Sequence, residues 1–82
     1  MLIAFQHEIK LKRKDFNEFF EGKRDILEIK RLKNDSGMYR GDFIRFTSGF
    51  ARPKQMLVEI LGVTLVKKED GYYYKVHVSK VI

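Results

Sequence analysis

The sequence predicts a small α+β domain that is mainly β: a pseudo-barrel of about five strands, partly open, with one short helix after the first strand. Three observations predict it. Apolar and polar residues alternate in several separate runs, which is the period of strands that bury one face. A single run, KRKDFNEFFEG, carries the i, i+3, i+4 spacing of a helix instead. Glycines mark the turns and bends between these runs, giving the order β-α-β-β-β-β over one domain, residues 1–82.

Each element has its own signal. Ile3, Phe5, His7, Ile9 and Leu11 lie two apart, which predicts a strand over residues 2–11. Phe16, Phe19 and Phe20 form the buried stripe of a helix from Arg13 to Glu21, and Gly22 stands where a C′ glycine ends it. Asp25 to Leu32 predicts a second strand. Its adjacent Ile26 and Leu27 break the alternation, so a bulge is expected there.

NDSG at 34–37 is turn chemistry, and DFIRFTS, 42–48, is a third strand with Ile44 and Phe46 on one face and Phe43 and Arg45 on the other. SGFARP returns the chain as a loop. Gln55 to Lys67 reads as a long fourth strand that bends at Gly62. KKEDG makes a hairpin, and YYYKVHVSKVI closes the chain with Tyr72, Tyr74, Val76 and Val78 facing one way.

Composition bounds the function. The 82 residues are 44% hydrophobic, with seven Phe and four Tyr, enough for one core that uses most of the large apolar side chains. The absence of cysteine excludes a disulfide framework and a Cys-based metal site, and it fits a reducing cytosol, so a cytoplasmic location is expected. MLIAFQHEIK has no basic n-region and breaks at Gln6, unlike a signal peptide. Met56 to Val66 contains Glu59 and falls short of the roughly 20 residues of a spanning helix. No membrane partner is expected.

The net charge is +6, and the excess is uneven: residues 1–54 hold 13 basic and 8 acidic residues, and residues 55–82 hold 4 and 3. Such a balance in a small domain points to a polyanionic partner, nucleic acid first. Nucleophilic triads lack a Cys, and no glycine elbow surrounds Ser36, Ser48 or Ser79. His7 and His77 are the only histidines, with no ligand cluster around them, so neither a metal nor another cofactor is expected. Glycine-rich phosphate loops do not occur.

What remains is EGKRDILEIKRLKND, residues 21–35. Lys23 and Arg24 follow a helix end, where cations complement the helix dipole. Lys30, Arg31 and Lys33 continue along the strand, and Glu28 sits among them. A carboxylate there either tethers a neighbouring cation or accepts hydrogen bonds from a base edge. On the residues alone, solvated surface and ligand site are evenly matched.

HEIKL at 7–11, GKR at 22–24, LEIK at 27–30, KND at 33–35 and GDFIRF at 41–46, in this order, resemble the ASCH (activating signal cointegrator homology) domain, specifically its small bacterial and phage subgroup. The resemblance covers most of the first half of the chain. It implies a PUA-like barrel, a fold used mainly for RNA binding, with a cleft between the first helix and the barrel as the ligand site. Gly22, Lys23 and Arg24 match the family's G-K-K, Glu28 its Glu, and Lys30 or Arg31 stands near its Arg. Asp25 replaces the usual Thr, and about three residues are added before KND. Some relatives of this fold deacetylate a modified cytidine. Here the catalytic Lys position falls on Arg24, whose guanidinium offers no accessible neutral amine.

The expected function is therefore a non-enzymatic module that binds RNA or a nucleotide in a basic cleft beside the helix. Its candidate residues are Lys23, Arg24, Asp25, Glu28, Lys30, Arg31 and Arg45. The cations would hold phosphates, Glu28 would read a base edge, and Phe43, Tyr39 or Tyr73 would offer a stacking surface. The alternatives are an amidohydrolase acting on a modified nucleoside and a protein-interaction module with an apolar patch around Met38, Phe43 and Phe50.

Overall fold

Two of the phenylalanines decide how the helix sits. In the computed structural model, which describes residues 4–33, 37–49 and 53–81, the helix α1 (Arg13–Phe20) buries Phe16 and Phe19. The Phe19 ring meets Phe46 at 5.0 Å between centroids. Phe46 belongs to β3 (Phe43–Ser48), whose Ile44, Phe46 and Ser48 point inward in strict alternation. The other strands are β1 (His7–Lys10), β2 (Ile26–Lys30), β4 (Lys54–Lys68) and β5 (Gly71–Lys80). The architecture is thus α+β and mainly β, in the predicted order.

The five strands make one curled, open sheet in the order β1-β3-β4-β5-β2. β1 runs parallel to β3 with His7 opposite Ile44. The remaining pairs are antiparallel. Just before β1, Gln6 bonds Phe43 twice: its N–H donates to the Phe43 carbonyl at 3.0 Å and its side-chain Oε1 accepts the Phe43 N–H at 2.7 Å. The strand β1 is shorter than the alternation predicts, and Met1–Ile3 lie outside the described residues.

The core is Phe16, Phe19, Leu27, Ile44, Phe46, Met56, Val58, Ile60, Val76 and Val78. The helix ends as expected. Gly22 takes φ +76°, its N–H reaches the Phe19 carbonyl at 3.2 Å, and the Lys23 N–H reaches the Glu18 carbonyl at 2.9 Å. These two bonds form a Schellman motif, which needs the left-handed conformation that glycine adopts without penalty.

Three expectations change. β2 has no bulge: Leu27 and Ile29 face inward in an unbroken ladder with Val76 and Tyr74, and Ile26 faces outward, 39% exposed. The irregularity belongs to β4, where the register shifts between Ile60 and Gly62, at the glycine predicted to bend the strand. Phe20, the last residue of the eight-residue helix, leaves the buried stripe and is 51% exposed. The turn at NDSG and the loop SGFARP fall largely on residues 34–36 and 50–52, outside the described residues.

Candidate functional site

The candidate residues separate into four places. At the end of α1, Arg24 is held by its own helix. Its Nη1 lies 3.0 Å from Asp15 Oδ1 and 3.7 Å from Glu18 Oε1, its Nε donates to the Ile26 carbonyl at 3.3 Å, and its guanidinium sits 5.0 Å from the Phe19 ring centroid. Asp25 pairs with His77, Oδ2 to Nε2, at 3.0 Å. Arg24 and Asp25 line a groove of about 280 Å³ between the helix end and β5, together with Phe20, Ser79 and Lys80. Lys23 lies outside it. Its ammonium contacts Glu21 at 3.0 Å, and that carboxylate raises the Lys23 pKa above the usual lysine value.

Glu28 and Lys30 lie on the outer face of the sheet. Glu28 reaches across β5 to Lys68 of β4, Oε1 to Nζ 2.6 Å, rather than to Lys30 or Arg31. Lys30 contacts Asp70 at 3.5 Å, and Asp70 accepts the Tyr73 hydroxyl proton at 2.7 Å. Lys68 closes the network, 4.6 Å from the Tyr73 ring centroid. The hydrogen bond from Lys68 holds the Glu28 pKa below the ordinary range, and the bond from Tyr73 does the same for Asp70. The partner shifts run the other way: Glu28 raises Lys68 and Asp70 raises Tyr73. This network staples the edge strand β2 to the β4–β5 hairpin.

Arg45 stands apart, beside β1. Its Nη2 meets Glu8 Oε2 at 2.7 Å, and its guanidinium lies 4.9 Å from the Phe5 ring centroid. Of the expected stacking surfaces, Tyr73 is engaged in the outer-face network, Phe43 is half-buried, and Tyr39 is exposed, its N–H donating to Asp42 Oδ2 at 3.3 Å. Phe50 lies outside the described residues.

Arg31 occupies the fourth place, and here the register matters. Its N–H donates to the Tyr72 carbonyl at 2.8 Å, extending the β2–β5 ladder one step past Lys30. Tyr72 is in turn paired with Lys67 of β4. Successive inner-face rows across β2, β5 and β4 therefore read Leu27–Val76–Val63, then Ile29–Tyr74–Leu65, then Arg31–Tyr72–Lys67. The first row is core, and the last forms the mouth of the open barrel. Tyr72 is 44% exposed and Leu65 47%. A groove of about 470 Å³ runs along this mouth, lined by Arg31, Leu32, Lys33, Gly71 and Tyr72.

Arg24, Lys23, Lys30, Lys68 and Arg45 each have a carboxylate within contact. Among the described residues, Arg31, Lys33 and Lys67 form no ion pair, and neither do Lys12, Arg13, Lys14, Arg40, Lys54, Lys75 and Lys80. Nor does the Tyr72 ring take part in any ring or cation contact among them. By comparison, Phe20 has one ring face stacked on Phe16 and the Lys80 ammonium 3.8 Å from its centroid.

The alternation in the sequence assigns Tyr72 and Lys67 to strands but gives neither a role at the site. The hairpin signal at Asp70-Gly71 sets Glu69 opposite Tyr72, whereas the observed two-residue turn is Glu69-Asp70, closed by Lys68 and Gly71, and this one-residue shift is what brings Lys67 opposite Tyr72. Among the described residues, no group of three or more His, Cys, Asp or Glu is placed to hold a metal ion, and no helix is long and apolar enough to cross a membrane. Comparison with protein-family models gives no match, and comparison with curated proteins gives none either.

Proposed function

We propose that the protein is a non-enzymatic module that binds RNA or a nucleotide at the open mouth of its barrel, in the groove between the end of β2 and the β4–β5 hairpin. One observation carries this reading. Arg31 and Lys67 flank a half-exposed tyrosine, and neither cation is neutralised by a carboxylate among the described residues. A cation already paired with a carboxylate must give up that partner before it can serve a phosphate. An unpaired one releases only counterions, and that release favours binding. The net charge of +6 adds long-range attraction for the same kind of ligand.

The groove at the helix end lies at the other end of β5, and its arginine is committed to Asp15 and Glu18. The two locations are separable by titrating labelled single-stranded RNA at two salt concentrations. Removing one cation that neutralises a phosphate of a single strand lowers the slope of log affinity against log salt by roughly 0.7. Arg31→Ala with Lys33→Ala is expected to lower the slope, and Lys23→Ala with Arg24→Ala to leave it unchanged. The opposite pattern places the ligand at the helix end. Absence of salt-dependent binding refutes the reading altogether.

A further inference from the structure

From the Arg31–Tyr72–Lys67 row we infer that the ligand at the barrel mouth is a single strand, one of whose bases stacks unpaired on Tyr72 while the phosphates on its two sides rest on Arg31 and Lys67. This rests on the proposal that the groove binds RNA or a nucleotide, and it narrows that proposal to one ligand form.

The spacing of the row fits such a ligand. Neighbouring strands lie about 4.8 Å apart, so the backbones carrying Arg31 and Lys67 are separated by roughly 10 Å, with the tyrosine midway. A nucleotide inside a single strand has the same pattern, one flat base with a phosphate on either side along the backbone. A free mononucleotide carries phosphate at one end and leaves one of the two cations unused. A duplex offers phosphates, but its bases are stacked and paired, and none can lie on a side chain without leaving the helix.

The surroundings favour an inserted base. The row next to Tyr72 is apolar, with Leu65 on β4 opposite the half-buried Tyr74 on β5. Gly71 lines the groove at its hairpin end. Leu32, 66% exposed, also lines the groove.

The test compares a labelled single-stranded oligonucleotide with the same strand annealed into a duplex, against wild type, Tyr72→Ala, Tyr72→Phe and Lys67→Ala. Base stacking on an aromatic side chain predicts that Tyr72→Ala weakens single-strand binding by about 5- to 150-fold with an unchanged salt slope. Tyr72→Phe keeps the platform and should bind within about twofold of wild type, which also controls for folding. Lys67→Ala should lower the slope by roughly 0.7. The duplex should bind more weakly than the strand.

Equal affinity for duplex and strand, or a Tyr72→Ala variant that binds as wild type, overturns the stacking inference and leaves polyanion binding at the mouth intact. No salt-dependent binding of either form overturns both. Salt-independent capture of a protein in its place would do so as well.

Discussion

The backbone N–H of Arg31 donates to the carbonyl of Tyr72 at 2.8 Å. That one bond carries the β2–β5 ladder a step beyond the outer-face network and turns Arg31 toward the inside of the barrel, opposite the tyrosine. Lys30, its neighbour, points the other way and is committed to Asp70. Two adjacent cations in the sequence thus serve different purposes, one holding the hairpin and one lining the groove.

The outer-face network gives a stability signature in pH. The pKa values of Glu28 and Asp70 are lowered by their hydrogen-bond partners. Their contribution is therefore present above the unfolded carboxylate pKa and disappears as pH falls through the lower folded value, in the region below about pH 4. Lys68 and Tyr73 are raised. Their contribution is complete below the unfolded values and disappears as pH climbs through the folded ones, above about pH 10. All four groups are exposed, so the effect is small and screened by salt. Glu28→Gln should lower the melting temperature near neutral pH at low salt, and the gap from wild type should close in acid. A gap that persists in acid would assign the loss to packing instead.

The helix terminus supplies a second prediction. Gly22 has φ +76° and nothing within 4 Å of an added Cβ, so substitution there costs backbone strain and no steric clash. Gly22→Ala should destabilise by about 1–2 kcal/mol, and Gly22→Asn by less, because Asn tolerates the left-handed region better. Urea denaturation of the two variants checks the order. Equal losses would show that the Schellman conformation is not what matters.

Packing supplies a third. Phe46 is fully buried and sits against Phe19 at the junction of helix and sheet. Phe46→Ala should cost about 3–5 kcal/mol, a large share of the stability of a domain this small. Phe20→Ala, at a half-exposed ring, should cost much less. The two midpoints of chemical denaturation, measured side by side, make the comparison. Similar losses would contradict the assignment of Phe20 to the surface.

Much of this fold is legible in the sequence because period and punctuation agree. The alternation of Ile44 and Phe46, the Phe16–Phe19 spacing, Gly22 as a helix stop and Gly62 as a bend all hold in the structure. The bulge expected in β2 does not, because Ile26 is not core. An isoleucine at a sheet edge with its outward face partly exposed looks identical in sequence to one that needs a bulge. The site is less legible. Which cations are free depends on partners 40 residues away in the chain, Glu28 with Lys68 and Lys30 with Asp70, and no local spacing encodes such contacts. The Arg31–Tyr72–Lys67 row likewise emerges only when three strands are set in register.

Where the ligand sits can be read from backbone amide shifts, followed while a short single-stranded RNA is titrated into isotope-labelled protein. Binding at the barrel mouth should give saturable shifts concentrated at Arg31, Lys33, Lys67, Gly71 and Tyr72, with Lys23, Arg24 and Asp25 nearly unmoved. Shifts centred instead on Gly22 to Asp25 and on His77 to Lys80 would refute binding at the mouth and return the ligand to the groove at the end of the helix.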